Sequence, residues 1–152
     1  MLGFALLGGC GFQLQGALTI PVEMEQTYLD PVDRHSLFYR ELRLQLQAAG
    51  VKLADVPEDS TAILSIRVDE TDQRVLSVSG RNVPTEYEVY YTIEYSIAKG
   101  EKILLSPQEV TLTRDYTYDT LKVLGKAREE TMLREAVVKD LVRIVLKQIS
   151  SL

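Results

Sequence analysis

The sequence predicts an α+β fold: a two-layer sandwich in which two helices pack on one face of a four-stranded mixed sheet, in the order β-α-β-β-β-α. Three observations predict it: a strongly alternating segment near the middle of the chain, a helical apolar stripe on either side of it, and turn-forming residues between the segments. The 152 residues are 45% hydrophobic and 26% charged, which suits one globular domain with its own core.

The first strand and helix follow each other closely. Met24–Leu29 is a short candidate strand, and Asp30 and Pro31 then offer a helix N-cap followed by proline at the first helical position. We therefore predict a helix over Val32–Ala49. One apolar stripe runs along it, formed by Phe38, Leu42, Leu46 and Ala49. Gly50 suits a left-handed residue after the helix end.

Alternating segments predict the three later strands. Ala62–Asp69 alternates, and Val75–Val78 can extend it. Tyr87–Ile97 has apolar side chains at every odd position, which is typical of a strand with one face on a core. Lys99–Lys102 forms the next predicted turn. The partner strand follows at Val110–Tyr118.

The order of the segments sets the topology. The β-α-β start favours a parallel right-handed crossover, and the later strands favour an antiparallel meander. Pro107, just before the last strand, indicates a bulge or a sheet edge. The final element is a helix over Ala127–Ile149 with a broad apolar face. The open face of the sheet would carry the even positions of the central strand, including Tyr90.

Composition and motifs exclude several functions. The net charge of −5 argues against a nucleic-acid binder, which needs a basic footprint. The single histidine, His35, and the single cysteine, Cys10, exclude a Cys/His zinc cluster and an internal disulfide. The sequence contains no glycine-rich phosphate loop, H-E-x-x-H or G-x-S-x-G motif. We therefore expect neither an enzyme nor a cofactor.

The N-terminus resembles that of a bacterial lipoprotein. Residues 1–9 are uncharged and mostly apolar, and they match the end of a secretory signal, so they are interpreted as a partial signal peptide. The sequence Leu7-Gly8-Gly9-Cys10 looks like a lipobox, which makes Cys10 the expected lipidation site. Residues 10–22 then form a lipidated tether, and residues 23–152 form the single domain. The alternative is a buried cysteine in a short apolar strand.

Lipidation would fix the location of the chain. Two or three acyl chains anchor a protein stably, where one does not. Gly11 follows the cysteine where aspartate would mark retention in the inner membrane under enterobacterial sorting rules. By resemblance to those rules, the chain belongs on the periplasmic side of the outer membrane.

Basic residues recur at or near the ends of the predicted elements. They are Arg74, Arg81, Lys99, Lys102, Lys122 and Lys126. A cluster of such side chains can hold phosphates as point charges or as bidentate forks. The alternative is that they keep turns soluble and sheet edges unpaired. Spacing alone does not decide between the two.

Several blocks of sequence resemble the LptE family, the lipopolysaccharide-assembly lipoproteins of Gram-negative bacteria. The first is Leu7-Gly8-Gly9-Cys10-Gly11-Phe12-Gln13-Leu14-Gln15-Gly16, in which Gln15 stands where the family typically has arginine. Others are Leu42-x-Leu44-x-Leu46-x-x-x-Gly50-Val51, Thr85-Glu86-Tyr87-Glu88-Val89, Leu112-Thr113-Arg114 and the C-terminal helix. The resemblance covers nearly the whole chain from Cys10 onward.

The resemblance implies a non-enzymatic role. Family members plug the lumen of the outer-membrane β-barrel LptD, help to assemble it, and contact lipopolysaccharide on its way to the outer leaflet. By position, Arg81 and Lys126 are the residues expected to contact lipopolysaccharide, with Arg74 and Lys122 beside them. The alternative function is a lipoprotein adaptor that binds only a protein partner and does not contact lipopolysaccharide.

Overall fold

Residues 19–117 and 123–152 are described by the computed structural model, with the side chains of the last helix described from residue 128. In these stretches the chain forms five strands and two α-helices. The elements are β1 (Gln26–Pro31), α1 (Leu37–Ala48), β2 (Lys52–Ala54), β3 (Ala62–Val78), β4 (Pro84–Lys99), β5 (Lys102–Thr117) and α2 (Val123–Ile149). Short 3-10 turns occupy Val22–Met24 and Pro57–Asp59.

The strands form one mixed sheet in the order β2-β1-β3-β4-β5. β1 is parallel to both β2 and β3, and the remaining pairs are antiparallel, so the predicted crossover and meander are both present. The α+β prediction is confirmed, but the sheet has five strands, not four. The missed strand, β2, is three residues long, too short to show any alternation.

The predicted start of the first helix is wrong. Asp30 and Pro31 do not cap α1, because they complete β1 and pair with β3. The N–H of Val32 donates to the carbonyl of Ile66 at 3.0 Å and so extends the parallel pairing by one bond. α1 instead begins after Ser36, whose Oγ accepts a hydrogen bond from the N–H of Tyr39 at 2.9 Å. Strand pairing therefore overrides the local capping signal.

A register shift changes which side chains of β3 face the helices. β3 runs without interruption to Val78, as its predicted extension suggested. The pairing with β4 shifts between Ile66 and Val68, which makes Arg67 the extra residue of a bulge. Even-numbered side chains face the core before this bulge. After it the odd-numbered side chains take that face, beginning with Asp69 opposite Ile93.

The core lies between the sheet and the two helices. Its centre is β4, whose odd positions are buried as predicted: Val89, Tyr91, Ile93, Tyr95 and Ile97. α1 contributes the predicted Phe38, Leu42 and Leu46, each with no exposed surface. α2 contributes a seven-residue face: Val137, Val138, Leu141, Val142, Val145, Leu146 and Ile149. Both helices therefore cover the same face of the sheet, and the opposite face is left open.

A polar network fixes the start of α1 to the sheet. The hydroxyl of Tyr91 donates to Oδ1 of Asp69 at 2.6 Å and lies 3.4 Å from the N–H of Phe38, which donates to it. The capping residue Ser36 donates its own hydroxyl to the other oxygen of Asp69. Burial raises the pKa of the Asp69 carboxyl, although these two hydrogen bonds oppose the rise. The network thus satisfies a partly buried carboxylate and a helix N-terminus together.

We expect Tyr91→Phe to lower the free energy of unfolding by about 1–3 kcal/mol, because it leaves Asp69 and the N–H of Phe38 each without one partner. Urea denaturation followed by circular dichroism measures the change. The matched control is Tyr90→Phe, since no described residue hydrogen-bonds to the hydroxyl of Tyr90. An equal loss in both variants would contradict the role given to the network.

Candidate functional site at the hairpin tip

The turn that joins β3 to β4 presents Arg81 at its apex. The N–H of Asn82 donates to the carbonyl of Ser79 at 2.9 Å, and the N–H of Ser79 donates to the carbonyl of Val83 at 2.8 Å. Gly80 and Arg81 occupy the two central positions of this turn. Asn82 has a φ of 63°, a left-handed conformation that asparagine tolerates better than most residues. We call residues 74–88, the turn and the strand ends that lead to it, the hairpin tip.

Aliphatic side chains surround this turn without being buried. They are Val75, Leu76, Val78 and Val83, which are between 39% and 53% exposed. Four exposed aliphatic side chains and a cation in one hairpin give the tip more apolar surface than a turn that is simply solvated.

Arg74 lies on the same tip but is already engaged. Its Nη2 forms an ion pair with Oε2 of Glu88 at 2.5 Å, and its guanidinium carbon lies 5.9 Å from the centre of the Tyr90 ring. The Glu88 side chain is only 12% exposed, and its buried Oε2 accepts no well-aligned hydrogen bond from the residues described. Glu88 therefore depends on Arg74 for charge compensation.

Arg81 differs from Arg74 in this respect. Its side chain is exposed, and no carboxylate in the described stretches lies within ion-pair distance of it. Of the two predicted arginines that the structure describes, Arg81 is the one available to a ligand.

The other predicted site residues are placed only in part. Cys10 and Lys122 lie outside the described residues, and of Lys126 only the backbone is described, within α2. α2 runs with its N-terminal end toward the tip, because Arg134 donates to Oγ1 of Thr71 on β3 at 2.9 Å, whereas Gln148 reaches Tyr95. The backbone at position 126 thus belongs to the tip half of the molecule. Lys99 and Lys102 lie at the other end of β4, away from Arg81.

Two features of the tip were not predicted from the sequence. The first is the exposed aliphatic group, of which Val75–Val78 were interpreted simply as a continuation of a strand. The second is a stacked pair, Tyr87 and Tyr116, with ring centroids 5.5 Å apart and planes 16° apart. The hydroxyl of Tyr116 donates to Gln73 at 2.9 Å, so the pair joins β3, β4 and β5 just below the tip. Alternation could have indicated the stack only if the register of β5 were known.

The open face of the sheet has the opposite charge to Arg81. The strand register places eight carboxylates on it: Asp30, Glu70, Asp72, Glu86, Glu88, Glu94, Glu109 and Asp115. Arg67 and Arg74 each form an ion pair on this side of the sheet, with Asp30 and Glu88. The open face therefore repels anions, whereas Arg81 at the tip has no carboxylate partner among the described residues.

Two other site classes find no support in the described residues. No group of three or more His, Cys, Asp or Glu side chains there is arranged to hold a metal ion. Neither helix, over the residues described, is long and apolar enough to cross a membrane.

Known structures share this fold. A solution structure of an uncharacterized lipoprotein B from Nitrosomonas europaea matches with a TM-score of 0.77 at 28% identity, over 93% of this chain and 92% of that one. The crystal structure of the rare lipoprotein B from Shewanella oneidensis matches with a TM-score of 0.71 at 26% identity, over 83% and 94% of the two chains. The fold is thus one that lipoproteins of other bacteria also have.

Sequence comparison identifies the family. The LptE family model, described as lipopolysaccharide-assembly, matches residues 24–149. The LPS-assembly lipoprotein LptE of Pectobacterium atrosepticum is 30% identical over 96% of this chain and 83% of its own length. That of Yersinia enterocolitica is 29% identical over 89% of this chain and 66% of its own length. The chain therefore belongs to the LptE family of lipopolysaccharide-assembly lipoproteins, as the resemblance implied.

The different surroundings of the two tip arginines lead to a test of stability. We expect Arg74→Gln to lower the free energy of unfolding by about 1–3 kcal/mol, because it leaves the largely buried Glu88 carboxylate unpaired. Arg81→Gln should change it by no more than about 0.5 kcal/mol, as is usual for an unpaired surface residue. Urea denaturation of both variants measures the difference. If Arg81→Gln were the more destabilising of the two, the assignment of Arg81 as free would be wrong.

Proposed function

We propose that this protein is an outer-membrane lipoprotein that plugs and helps to assemble an LptD-type β-barrel and assists delivery of lipopolysaccharide to the outer leaflet. Membership of the LptE family supports the general role, and the relatives are named for lipopolysaccharide assembly. The observation that supports the lipopolysaccharide contact is Arg81, which pairs with no carboxylate of the described residues and lies at the apex of a hairpin tip with exposed aliphatic side chains.

The tip suits the chemistry of lipopolysaccharide. The lipid A part of that molecule combines phosphates with acyl chains, and the tip combines a guanidinium group with exposed aliphatic side chains. Lys126, near the start of α2, and Lys122 are proposed to add positive charge, and Arg74 to contribute chiefly by holding Glu88. The acidic open face would keep anionic ligands off that face of the sheet.

The chain contributes no chemical step in this proposal. It acts by binding: the acyl groups on Cys10 hold it on the periplasmic side of the outer membrane, the domain occupies the polar lumen of the barrel, and the tip meets the lipid. No enzyme activity, cofactor or nucleic acid is part of the proposal.

A charge-reversal experiment tests the lipopolysaccharide contact. Arg81→Glu should weaken binding of purified lipopolysaccharide about tenfold at low salt, because it replaces the attracting charge with a repelling one. A Cys10→Ser background avoids acylation, and fluorescence anisotropy with labelled lipopolysaccharide gives the affinity. Raising the salt concentration should reduce the difference in lipopolysaccharide affinity between the protein with Arg81 and the Arg81→Glu variant.

Lys102→Glu is the matched control, because it makes the same change of charge on an exposed residue at the opposite end of β4. The tip loses its assigned role if both variants bind equally well, or if both lose affinity to the same extent. Absence of binding in every form, together with retained capture of the barrel, would favour the alternative of an adaptor that binds only protein.

The proposed anchor is tested separately. In cells depleted of the barrel partner, Cys10→Ala should move the protein from the membrane fraction to the soluble periplasmic fraction, because Cys10 is the single cysteine of this sequence and the proposed attachment point of the acyl chains. Membrane fractionation with immunoblotting detects the shift. Mass spectrometry of the native protein should find Cys10 as an acylated N-terminus. An unmodified Cys10 that follows residues 1–9 would refute the lipoprotein proposal.

A further inference from the structure

The outer edge of β5 is an open strand edge. β5 is the last strand of the sheet, and nothing in residues 19–117 and 123–152 pairs with its outer side. The opposite edge of the sheet, β2, is only three residues long. β5 has 16 residues, so it offers by far the longer row of unpaired backbone groups.

Only the first half of this edge is protected against further pairing. Pro107 lies there, two register shifts interrupt the pairing with β4, and the side-chain amide of Gln108 donates to the carbonyls of Ser106 and Pro107. Natural proteins commonly use prolines, bulges and lysines in this way to prevent unwanted strand addition. From Gln108 to Thr117 the register with β4 is continuous, and no proline or lysine occurs.

The side chains along the unprotected half define what could pair with it. On the open face of the sheet, Glu109 and Asp115 lie six residues apart with threonines between them. They stand directly opposite Glu94 and Glu88 of β4, of which Glu88 is already paired with Arg74, so like charges face each other across the strand pair, most directly at Glu109 and Glu94. Positive side chains beside Glu109 and Asp115 would relieve this repulsion. On the other face, Val110 and Leu112 are partly buried, and they favour apolar neighbours.

We propose that the edge of β5 from Glu109 to Thr117 binds an extended strand of another protein. The recognised segment alternates polar and apolar side chains and carries lysine or arginine at two positions six residues apart. Main-chain hydrogen bonds would supply much of the affinity, and the carboxylates would select the sequence. The proposal is independent of the lipopolysaccharide contact at Arg81, so failure of one leaves the other standing.

The pattern of charge favours another protein over the two occupants available from this chain. A second copy pairing through β5 would bring no basic residue to the open face, since its positions there are Glu109, Thr111, Thr113, Asp115 and Thr117. Residues 1–18 contain no lysine or arginine and equally provide no counter-charge. A basic segment of a different chain can supply both the counter-charge on the open face and the apolar side chains on the other face.

Hydrogen exchange with a synthetic strand tests the proposal. The probe is a nine-residue peptide of alternating valine and threonine that begins with valine, with lysines replacing the threonines at its second and eighth positions, added to the protein. We expect slower amide exchange within residues 109–117 and unchanged exchange in β2. A peptide of the same composition with adjacent lysines, and one with N-methylated backbone, should both bind at least about tenfold more weakly.

Charge variants distinguish binding at the β5 edge from general attraction of a basic peptide to an acidic protein. Glu109→Lys should weaken binding of the peptide about tenfold, whereas Glu70→Lys, which makes the same change on the interior strand β3, should have a smaller effect. Equal losses of peptide affinity in the two variants would overturn the proposal. Peptide binding that does not slow amide exchange in β5 would also overturn it. So would a dimer, seen by sedimentation, that already protects residues 109–117 before the peptide is added. Circular dichroism confirms that each variant is folded.

Discussion

The fold depends on burying one face of β4 against two helices. β4 is paired along its length on both sides, with β3 and β5, and its odd-numbered side chains contribute the largest share of strand residues to the core. Because side chains alternate along a strand, fixing that face commits the even-numbered residues to the open side. Tyr90, Glu88 and Glu94 therefore lie on the open side of the sheet by the same constraint that buries Tyr91 and Tyr95. The charged outer surface and the apolar core have one cause.

Long periodic elements could be predicted from the sequence because their pattern of apolar residues repeats over enough positions to outweigh single irregular residues. β4 and the two helices were recognised in this way, with errors at their ends. α2 begins at Val123, four residues before the predicted Ala127, and the first helix begins five residues after its predicted start. The second error arose because Asp30 and Pro31 form a good capping pair locally, whereas pairing with β3 decides their conformation. Local preference and tertiary contact competed there, and tertiary contact determined the outcome.

The candidate site was less predictable because its properties depend on contacts between distant residues. Arg74 and Arg81 look equivalent in the sequence, yet one is held by Glu88 across the strand pair and the other has no partner among the described residues. The bulge at Arg67 shifts the later part of β3 by one position, and no single-sequence signal fixes such a shift. The hydrogen bonds from Tyr91 and Ser36 to Asp69 likewise require that register.

The parallel pairing of β1 with β3 sets an order of assembly. Thr27 pairs with Ala62, so this contact closes a loop of about 35 residues that contains all of α1, whereas β4 and β5 are joined to their neighbours by short turns. Loop-closure entropy favours the β3-β4-β5 meander forming before β1 joins it. The part of the domain nearest the N-terminus is then the last to become fixed. A chain held to a membrane at that end would complete the rest of the sheet before the strand nearest the membrane is in place.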